Sequence, residues 1–252
     1  MMMFVVAGRE FRSMFLSPLA WSILGVVQLL LAYMFLSQLE MFLQIQGQLA
    51  GVEGAPGVTQ IVAAPVFGNA AIVLLLVVPM LTMRLVSEER RAQTMSLLFS
   101  APLSMTEIVL GKYLGVLGFL LVLVGFIALM PLSLIAGVDL DLGLLAAGLL
   151  GLVLLVASFA AIGLYLSTLT NQPTVAAVST FGVLLLLWVL DWAGDSDLGE
   201  ADGLFTYVSM LRHFESLLNG VFNSSDVAYY LLFITTFLVL SIRRLDADRL
   251  PH

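Results

Sequence analysis

The sequence contains no cysteine and few charged residues. Its 252 residues include two histidines and are only 11% charged, whereas a soluble domain has about 25% charged residues. The absence of cysteine excludes a disulfide framework, thiolate metal sites and a cysteine nucleophile. With 61% hydrophobic residues, the chain has too few polar groups to cover a water-exposed surface, which excludes a soluble enzyme. Disorder is also excluded, because the apolar surface is ample to offset chain entropy.

Nucleotide-binding and metal-binding motifs are missing as well. The only lysine, Lys112, follows Gly111 but precedes Tyr113, so the sequence has no GxxxxGK[ST] phosphate loop. There is no HExxH motif, and the two histidines are His213 and His252. We therefore expect no catalysis, cofactor or metal in this chain, and any ATP site must lie in another subunit. The formal charge of −7 argues against a nucleic-acid partner.

Long apolar segments dominate what remains. A helix crosses the hydrocarbon core, roughly 30 Å thick, with about 20 apolar residues, and strands of an outer-membrane barrel would instead alternate in polarity. The sequence therefore predicts an all-α, polytopic membrane protein with six transmembrane helices. The last segment is short, so we expect its helix to include Asp226 and Arg243. The predicted spans are Pro18–Ser37, Val66–Val86, Tyr113–Ala136, Leu142–Leu169, Thr174–Trp192 and Val227–Ile242.

The basic residues predict the orientation of these spans. With six spans, both termini lie on one side, and nine of the ten basic residues share that side. Lysine and arginine concentrate in cytoplasmic loops, so we expect both termini and the 84–112 loop to be cytoplasmic. Arg212 alone falls on the opposite side. The nine are Arg9, Arg12, Arg84, Arg90, Arg91, Lys112, Arg243, Arg244 and Arg249.

No ionisable residue falls in the middle of a predicted span, where Gln28 is the only strongly polar side chain. Ion-coupled carriers and proton pumps normally place ionisable groups there. This absence disfavours a secondary transporter, although sites lined by backbone remain an alternative.

The loop between the second and third spans has a helical pattern at its start. Met95, Leu98 and Phe99 share one helix face, and Pro102 disfavours helix at the residue before it. Ser104-x-x-Glu107 is a capping box that starts a new helix leading into the third span. The pattern predicts a helix–turn–helix elbow below the membrane. The alternative is a solvated loop with a helix lying on the membrane surface.

These residues resemble the permease subunits of type-2 ABC exporters, in particular the six-helix permeases of gliding-motility-type and copper-processing-type systems. The resemblance covers essentially the whole chain, residues 1–252, as one permease domain in which residues 1–17 form a cytoplasmic amphipathic helix. Its most specific part is the loop. The matching segments are Pro79–Leu85, Ser87–Arg91, Thr94, Ala101-Pro102 and Glu107–Lys112, with Arg9-Glu10-Phe11, Ser17-Pro18, His213-Phe214, Gly220 and Arg243-Arg244 at the flanks.

The resemblance implies that the 84–112 elbow is a coupling helix, seated in a groove of a separate nucleotide-binding subunit. That subunit would bind ATP and Mg and hydrolyse ATP, so this chain would be a non-catalytic permease. The implied partners are two ATPase copies, a second permease copy (a homodimer, or alternatively a heterodimer), an extracytoplasmic accessory protein and membrane lipid, in a bacterial inner membrane. The coupling residues are Glu88, Glu89, Arg90, Arg91, Thr94, Pro102 and Glu107.

The expected function is therefore ATP-driven export. One alternative is mechanical transmission, in which the ATPase cycle drives an extracytoplasmic partner and no substrate crosses. Two others are an ion-coupled carrier or channel and a structural membrane subunit.

The outer segment 191–226 begins with acidic residues whose spacing does not match an EF-hand loop, so a solvated loop is favoured over a cation site. The apolar residues that follow predict an interfacial or re-entrant helix, and the resemblance implies that it caps the conduit. Two ridges of small residues, Gly111–Gly118 and Gly143–Gly151, predict close helix packing within the subunit or, alternatively, at a dimer interface. The apolar residues of the outer helix are Leu204, Val208, Leu211, Leu218 and Phe222.

Overall fold

The computed structural model describes residues 2–49, 56–95, 103–194 and 209–249, which are helical almost throughout and contain no strand. The prediction of an all-α polytopic protein is confirmed. A turn of π-helix, Thr59–Ala63, leads into the helix Ala64–Thr82, and a 3-10 turn, Ser133–Ala136, extends the helix Met105–Leu132. The α-helices are α1 (Met2–Leu16), α2 (Pro18–Leu49), α3 (Ala64–Thr82), α4 (Ser87–Arg91), α5 (Met105–Leu132), α6 (Leu142–Leu169), α7 (Pro173–Gly194), α8 (Met210–Leu218) and α9 (Ser224–Arg249).

Five helical segments in the described ranges are long and apolar enough to cross a membrane, and they contain α2, α3, α5, α6 and α9. α6 has the predicted bounds, and α9 includes Asp226 and Arg243 as expected. α7 is the sixth long helix, with 22 residues, which corresponds to about 33 Å. Its apolar part, Pro173–Val189, is shorter than the other five.

The bounds of α2 differ from the prediction. α2 has 32 residues, or about 48 Å, whereas the predicted span ended at Ser37. The helix continues to Leu49 because the stretch that follows Ser37 is polar but rich in leucine, methionine, glutamine and glutamate, which favour helix whether or not they lie in lipid. Apolarity marks where a span lies in the bilayer, and it does not mark where the helix ends.

The centre of the bundle is α6, which contacts α3, α5, α7, α8 and α9. Leu152, Leu155 and Ile162 of this helix are fully buried. Gly163 allows the closest approach to α3, because a Cβ atom there would lie 2.7 Å from the Cβ of Thr82. Small residues bring helix backbones together in the bilayer, where packing replaces the hydrophobic effect as the source of association.

Ion pairs gather several distant segments at one end of the bundle. Lys112, near the start of α5, pairs with Glu10 of α1 and Glu89 of α4. Arg90 of α4 pairs with Asp248, near the end of α9. We call this the charged end. Both terminal helices and the elbow therefore meet on one side, as the distribution of basic residues predicted.

The path of the chain shows that α7 crosses the bundle. α6 ends at the charged end, where Ser167 contacts the start of α4. α9 begins at the opposite end, where Asp226 pairs with His213 of α8. α7 begins at the charged end, where Pro173 lines a cavity with Arg91 of α4, and it also contacts α8, which lies at the opposite end. Within the described residues, the chain therefore crosses the bundle six times, through α2, α3, α5, α6, α7 and α9.

Candidate functional site

A buried hydroxyl group from α6 holds the start of the elbow. The N-terminus of α4 has no cap from its own sequence. Instead, Ser167 Oγ accepts hydrogen bonds from the backbone N–H groups of Val86 and Ser87, each at 3.0 Å, and donates to the carbonyl of Met83 at 3.2 Å. One side chain thus satisfies the exposed amides of a helix start and ties the end of α3 to α6.

The elbow reverses direction directly after α4. The N–H of Thr94 donates to the carbonyl of Glu89 at 3.0 Å, and the N–H of Gln93 donates to the carbonyl of Arg90 at 3.2 Å. This is a Schellman motif, whose left-handed position is usually glycine, but Gln93 occupies it with φ of 56°. The helix predicted for the first half of the elbow is therefore interrupted, because α4 ends at Arg91 and the chain turns before it is helical again at Met95.

The second half of the elbow begins as predicted. Ser104 Oγ accepts from the N–H of Glu107 at 3.1 Å, and Glu107 Oε2 accepts from the N–H of Ser104 at 3.2 Å. The capping box is confirmed, and α5 continues from it into the membrane. Leu98, Phe99 and Pro102 lie outside the described residues.

A buried ammonium group connects the elbow to α1. Lys112 is 2% exposed, and its Nζ lies 2.8 Å from both Glu10 Oε1 and Glu89 Oε1. The sequence placed Lys112 at the end of a loop, whereas the structure places it inside α5. A charge withdrawn from water requires close partners, so this triad fixes α1, α4 and α5 relative to one another.

Glycines of α5 bring α1 close enough for this triad to form. A Cβ atom at Gly111 would lie 2.7 Å from the Cβ of Val6, and one at Gly115 would lie 3.0 Å from the carbonyl oxygen of Ala7. Gly118 faces the ring of Phe11. The Gly111–Gly118 ridge therefore packs within the subunit, which is the first of the two arrangements predicted from the sequence.

The four charged residues of α4 divide into two sets. Glu89 and Arg90 are half-buried and paired with Lys112 and Asp248, respectively. Glu88 and Arg91 are exposed, as is Thr94. Both exposed charges line a cavity of about 510 Å³ between α4 and the start of α7. An outer face of α4 is thus available to a partner, while its inner face holds the bundle together.

Sequence reasoning missed three residues of this site, namely Ser167, Glu10 and Asp248. The residues around Ser167 in the sequence do not indicate that it caps α4, because its hydrogen-bond partners lie about eighty residues away in the chain. Many serines in membrane helices bond only to their own helix. Glu10 and Asp248 were placed on the correct side but were not paired. The single lysine, Lys112, lies beside a predicted span, and this was the one feature of the sequence that pointed to a buried ion pair with Glu10.

At the opposite end, α8 packs into the bundle. Phe214 and Leu217 are fully buried, and Gly151 of α6 lies against both, so the Gly143–Gly151 ridge also packs within the subunit. The hydroxyl of Tyr230 donates to the carbonyl of Met210 at 2.7 Å. The predicted helix is confirmed from Leu211 to Leu218.

The remaining residues of the predicted outer segment 191–226 lie either outside α8 or outside the described residues. Phe222 lies beyond the end of α8 and is exposed. Leu204 and Val208 lie outside the described residues. So do most of the acidic residues of this segment, and the side chain of Asp191 is not described. Within the described ranges, no three histidine, aspartate or glutamate side chains are grouped to bind a metal ion.

Taken together, the geometry is that of an apolar bundle with an anchored, partly exposed elbow at one end. Residues 4–250 match the model of the family described as "ABC-2 family transporter protein". A comparison with curated proteins finds no match. Since the family model covers nearly the whole chain, the resemblance seen in the sequence is confirmed. The chain belongs to the ABC-2 transporter family and is a multi-pass membrane component of an ABC transporter.

Proposed function

We propose that this chain is the permease subunit of an ATP-driven exporter and that its elbow receives the motion of a separate ATPase subunit. The observation that carries the proposal is the division of α4 into an exposed face and an anchored face. The exposed face contains Glu88, Arg91 and Thr94. Arg91 and Thr94 are free to contact a partner, whereas Glu88 also lines a cavity beside α1. The anchored face transmits a displacement of α4 to the rest of the bundle.

The anchors of α4 reach four different helices. Ser167 connects its N-terminus to α6, Glu89 connects it through Lys112 to α1 and α5, and Arg90 connects it to α9. Buried or half-buried ion pairs fix register between elements more reliably than they add stability. A push on α4 is therefore carried to several spans together.

The assembly we propose contains two copies of the ATPase and two permeases, either identical or different. The ATPase copies bind ATP and Mg, because this sequence contains no phosphate loop. The charged end faces the cytoplasm of a bacterial cell, in accord with its basic residues, and an extracytoplasmic accessory protein is an optional further partner. Mixed charges at the rim of such a contact set orientation and association rate more than affinity.

The test is to purify the chain together with the ABC ATPase that binds it, to reconstitute the pair in lipid vesicles and to measure ATP hydrolysis. Arg91→Glu reverses an exposed charge on α4 and should abolish stimulation of the ATPase. Arg243→Glu is the matched control, because Arg243 is exposed on α9 at the same end and should leave stimulation unchanged. Reversal of Glu89 is a poorer test, since it would place a second cation beside Lys112 and disturb folding.

Stimulation that survives Arg91→Glu would contradict the coupling role of the elbow. A pair that hydrolyses ATP but moves no substrate would favour mechanical transmission to an extracytoplasmic partner. Transport that depends on an ion gradient without nucleotide would instead identify a carrier or channel.

A further inference from the structure

A second cavity lies at the charged end, enclosed by α1, α2, α3 and α4. Its volume is about 240 Å³. One part of its wall is polar and includes Ser13, Ser17, Arg84 and Glu88. The remaining wall is apolar and includes Ala20 and Leu81. An amphipathic cavity of this kind suits a ligand with a polar head and an apolar tail.

The charges of the cavity balance. Glu10 also lines it, but its carboxylate is paired with Lys112. Arg84 and Glu88 are the other two charged lining residues, and within the described ranges neither forms an ion pair with another side chain. The cavity thus offers one unpaired cation and one unpaired anion, four residues apart in the chain.

Neighbouring residues place the cavity at the level of lipid headgroups. Trp21 is 57% exposed, and its Nε1 donates to the carbonyl of Phe15 at 2.7 Å, as expected of a tryptophan at the membrane interface. α1 exposes Phe4 and Leu16 together with Arg12, a combination typical of helices that lie in the interface. Ala20 and Leu81 lie about one turn farther into the bundle than Ser17 and Arg84, so the apolar lining residues lie nearer the hydrocarbon core than the polar ones.

We propose that this cavity binds the headgroup of a phospholipid with a primary amine, that is, of the phosphatidylethanolamine class. The guanidinium of Arg84 would bind the phosphate, for which arginine has matching donor geometry. The carboxylate of Glu88 would accept hydrogen bonds from the ammonium group, and Ser13 and Ser17 add hydroxyl groups. A choline headgroup lacks N–H donors for Glu88, and an anionic glycerol headgroup would leave Glu88 unpaired.

The experiment measures lipid retention by native mass spectrometry on the full chain in detergent. Delipidated protein is titrated with phosphatidylethanolamine, phosphatidylcholine or phosphatidylglycerol of identical acyl chains. We expect one phosphatidylethanolamine to be retained about tenfold more strongly than the other two, which corresponds to one charge-assisted hydrogen bond. Glu88→Gln should remove this preference, whereas Arg84→Gln should weaken retention of all three lipids, because each carries the phosphate that Arg84 would bind. Circular dichroism checks that both variants remain helical.

Two control variants separate the site from general electrostatics. Arg12→Gln removes an exposed cation of α1, and Asp246→Asn removes an exposed anion of α9. Neither residue lines the cavity, so both variants should keep the preference. Because no ATPase is present, the result is independent of the proposed coupling.

Several outcomes would overturn the proposal. Equal retention of the three lipids, or stronger retention of phosphatidylglycerol, would do so. So would an unchanged preference in Glu88→Gln, an unchanged retention of the lipids in Arg84→Gln, or a loss of preference in the controls. Soluble glycerophosphoethanolamine tests the source of the headgroup: displacement of the lipid at equal concentration would identify a small solute as the ligand and contradict a lipid site.

Discussion

Replacing Ser167 with alanine removes the single side chain that caps α4 and joins the end of α3 to α6. In the native chain its Oγ accepts from two backbone amides and donates to one carbonyl. Ser167 and Ser87 are fully buried, and Val86 is nearly so. Alanine therefore leaves two N–H groups without a partner in a place that water does not reach.

The magnitude follows from these three hydrogen bonds. A buried donor left without a partner costs roughly 1–3 kcal/mol, so two such donors amount to about 2–6 kcal/mol of local stability. Ser158 provides the matched control on the same helix. It is also fully buried, but its hydroxyl donates only to the carbonyl of Leu154, within its own helix, at 3.0 Å. Its replacement by alanine should cost less than about 1 kcal/mol.

Hydrogen exchange at the amides of Val86 and Ser87 measures this difference directly. Because 1.4 kcal/mol corresponds to a factor of ten, Ser167→Ala should accelerate their exchange by about 30-fold or more. Exchange in the middle of α6 should remain slow in both variants. If Ser167→Ala and Ser158→Ala gave the same protection at these two amides, the long-range cap would play no part in holding the elbow.

Further predictions concern the same end of the bundle. Lys112, the only lysine in the sequence, should be acylated by amine reagents far more slowly in the folded chain than after denaturation, as peptide mapping would show. Equal rates would contradict its burial. Gln93→Gly should raise the stability of the elbow by about 1 kcal/mol, because glycine relieves the left-handed backbone, and lower thermal stability would contradict this. Gly115→Ala should cost about 1–3 kcal/mol by overpacking against α1, whereas Gly125→Ala, which has open space, should be neutral or stabilising. Equal melting temperatures of the two glycine variants would exclude the close contact between Gly115 and α1.

Local patterns in the sequence predicted much of this architecture. The bounds of α6 follow from an uninterrupted apolar run, and the helix that begins at Ser104 follows from a capping box that involves only neighbours in the chain. Five of the crossings in the described residues follow from apolar length, whereas α7 has a shorter apolar part. The length of α2 was underestimated because hydropathy reports the solvent around a helix, while its continuation past Ser37 depends on helix propensity.

Contacts between distant segments were beyond the reach of these patterns. A serine in an apolar helix has the same sequence signature whether it bonds to its own helix, as Ser158 does, or caps another, as Ser167 does. The left-handed turn at Gln93 was equally hidden, because the residue is not glycine. At the corresponding position after α8, Gly220 has φ of 77° and does carry the usual signal of a Schellman turn.

The roles of the four consecutive charges in α4 follow from helix geometry once the helix is known. Residues three apart lie on nearly the same side of a helix, since each residue turns it by about 100°. Glu88 and Arg91 therefore share one side, and it is the exposed one. Glu89 and Arg90 point inward, where partners from α5 and α9 meet them. A run of two acidic and two basic residues in a single turn thus supplies both the internal attachment of the elbow and an outward surface with one charge of each sign. Substitution of the inner pair should consequently be read as a change in folding, and substitution of the outer pair as a change in partner binding.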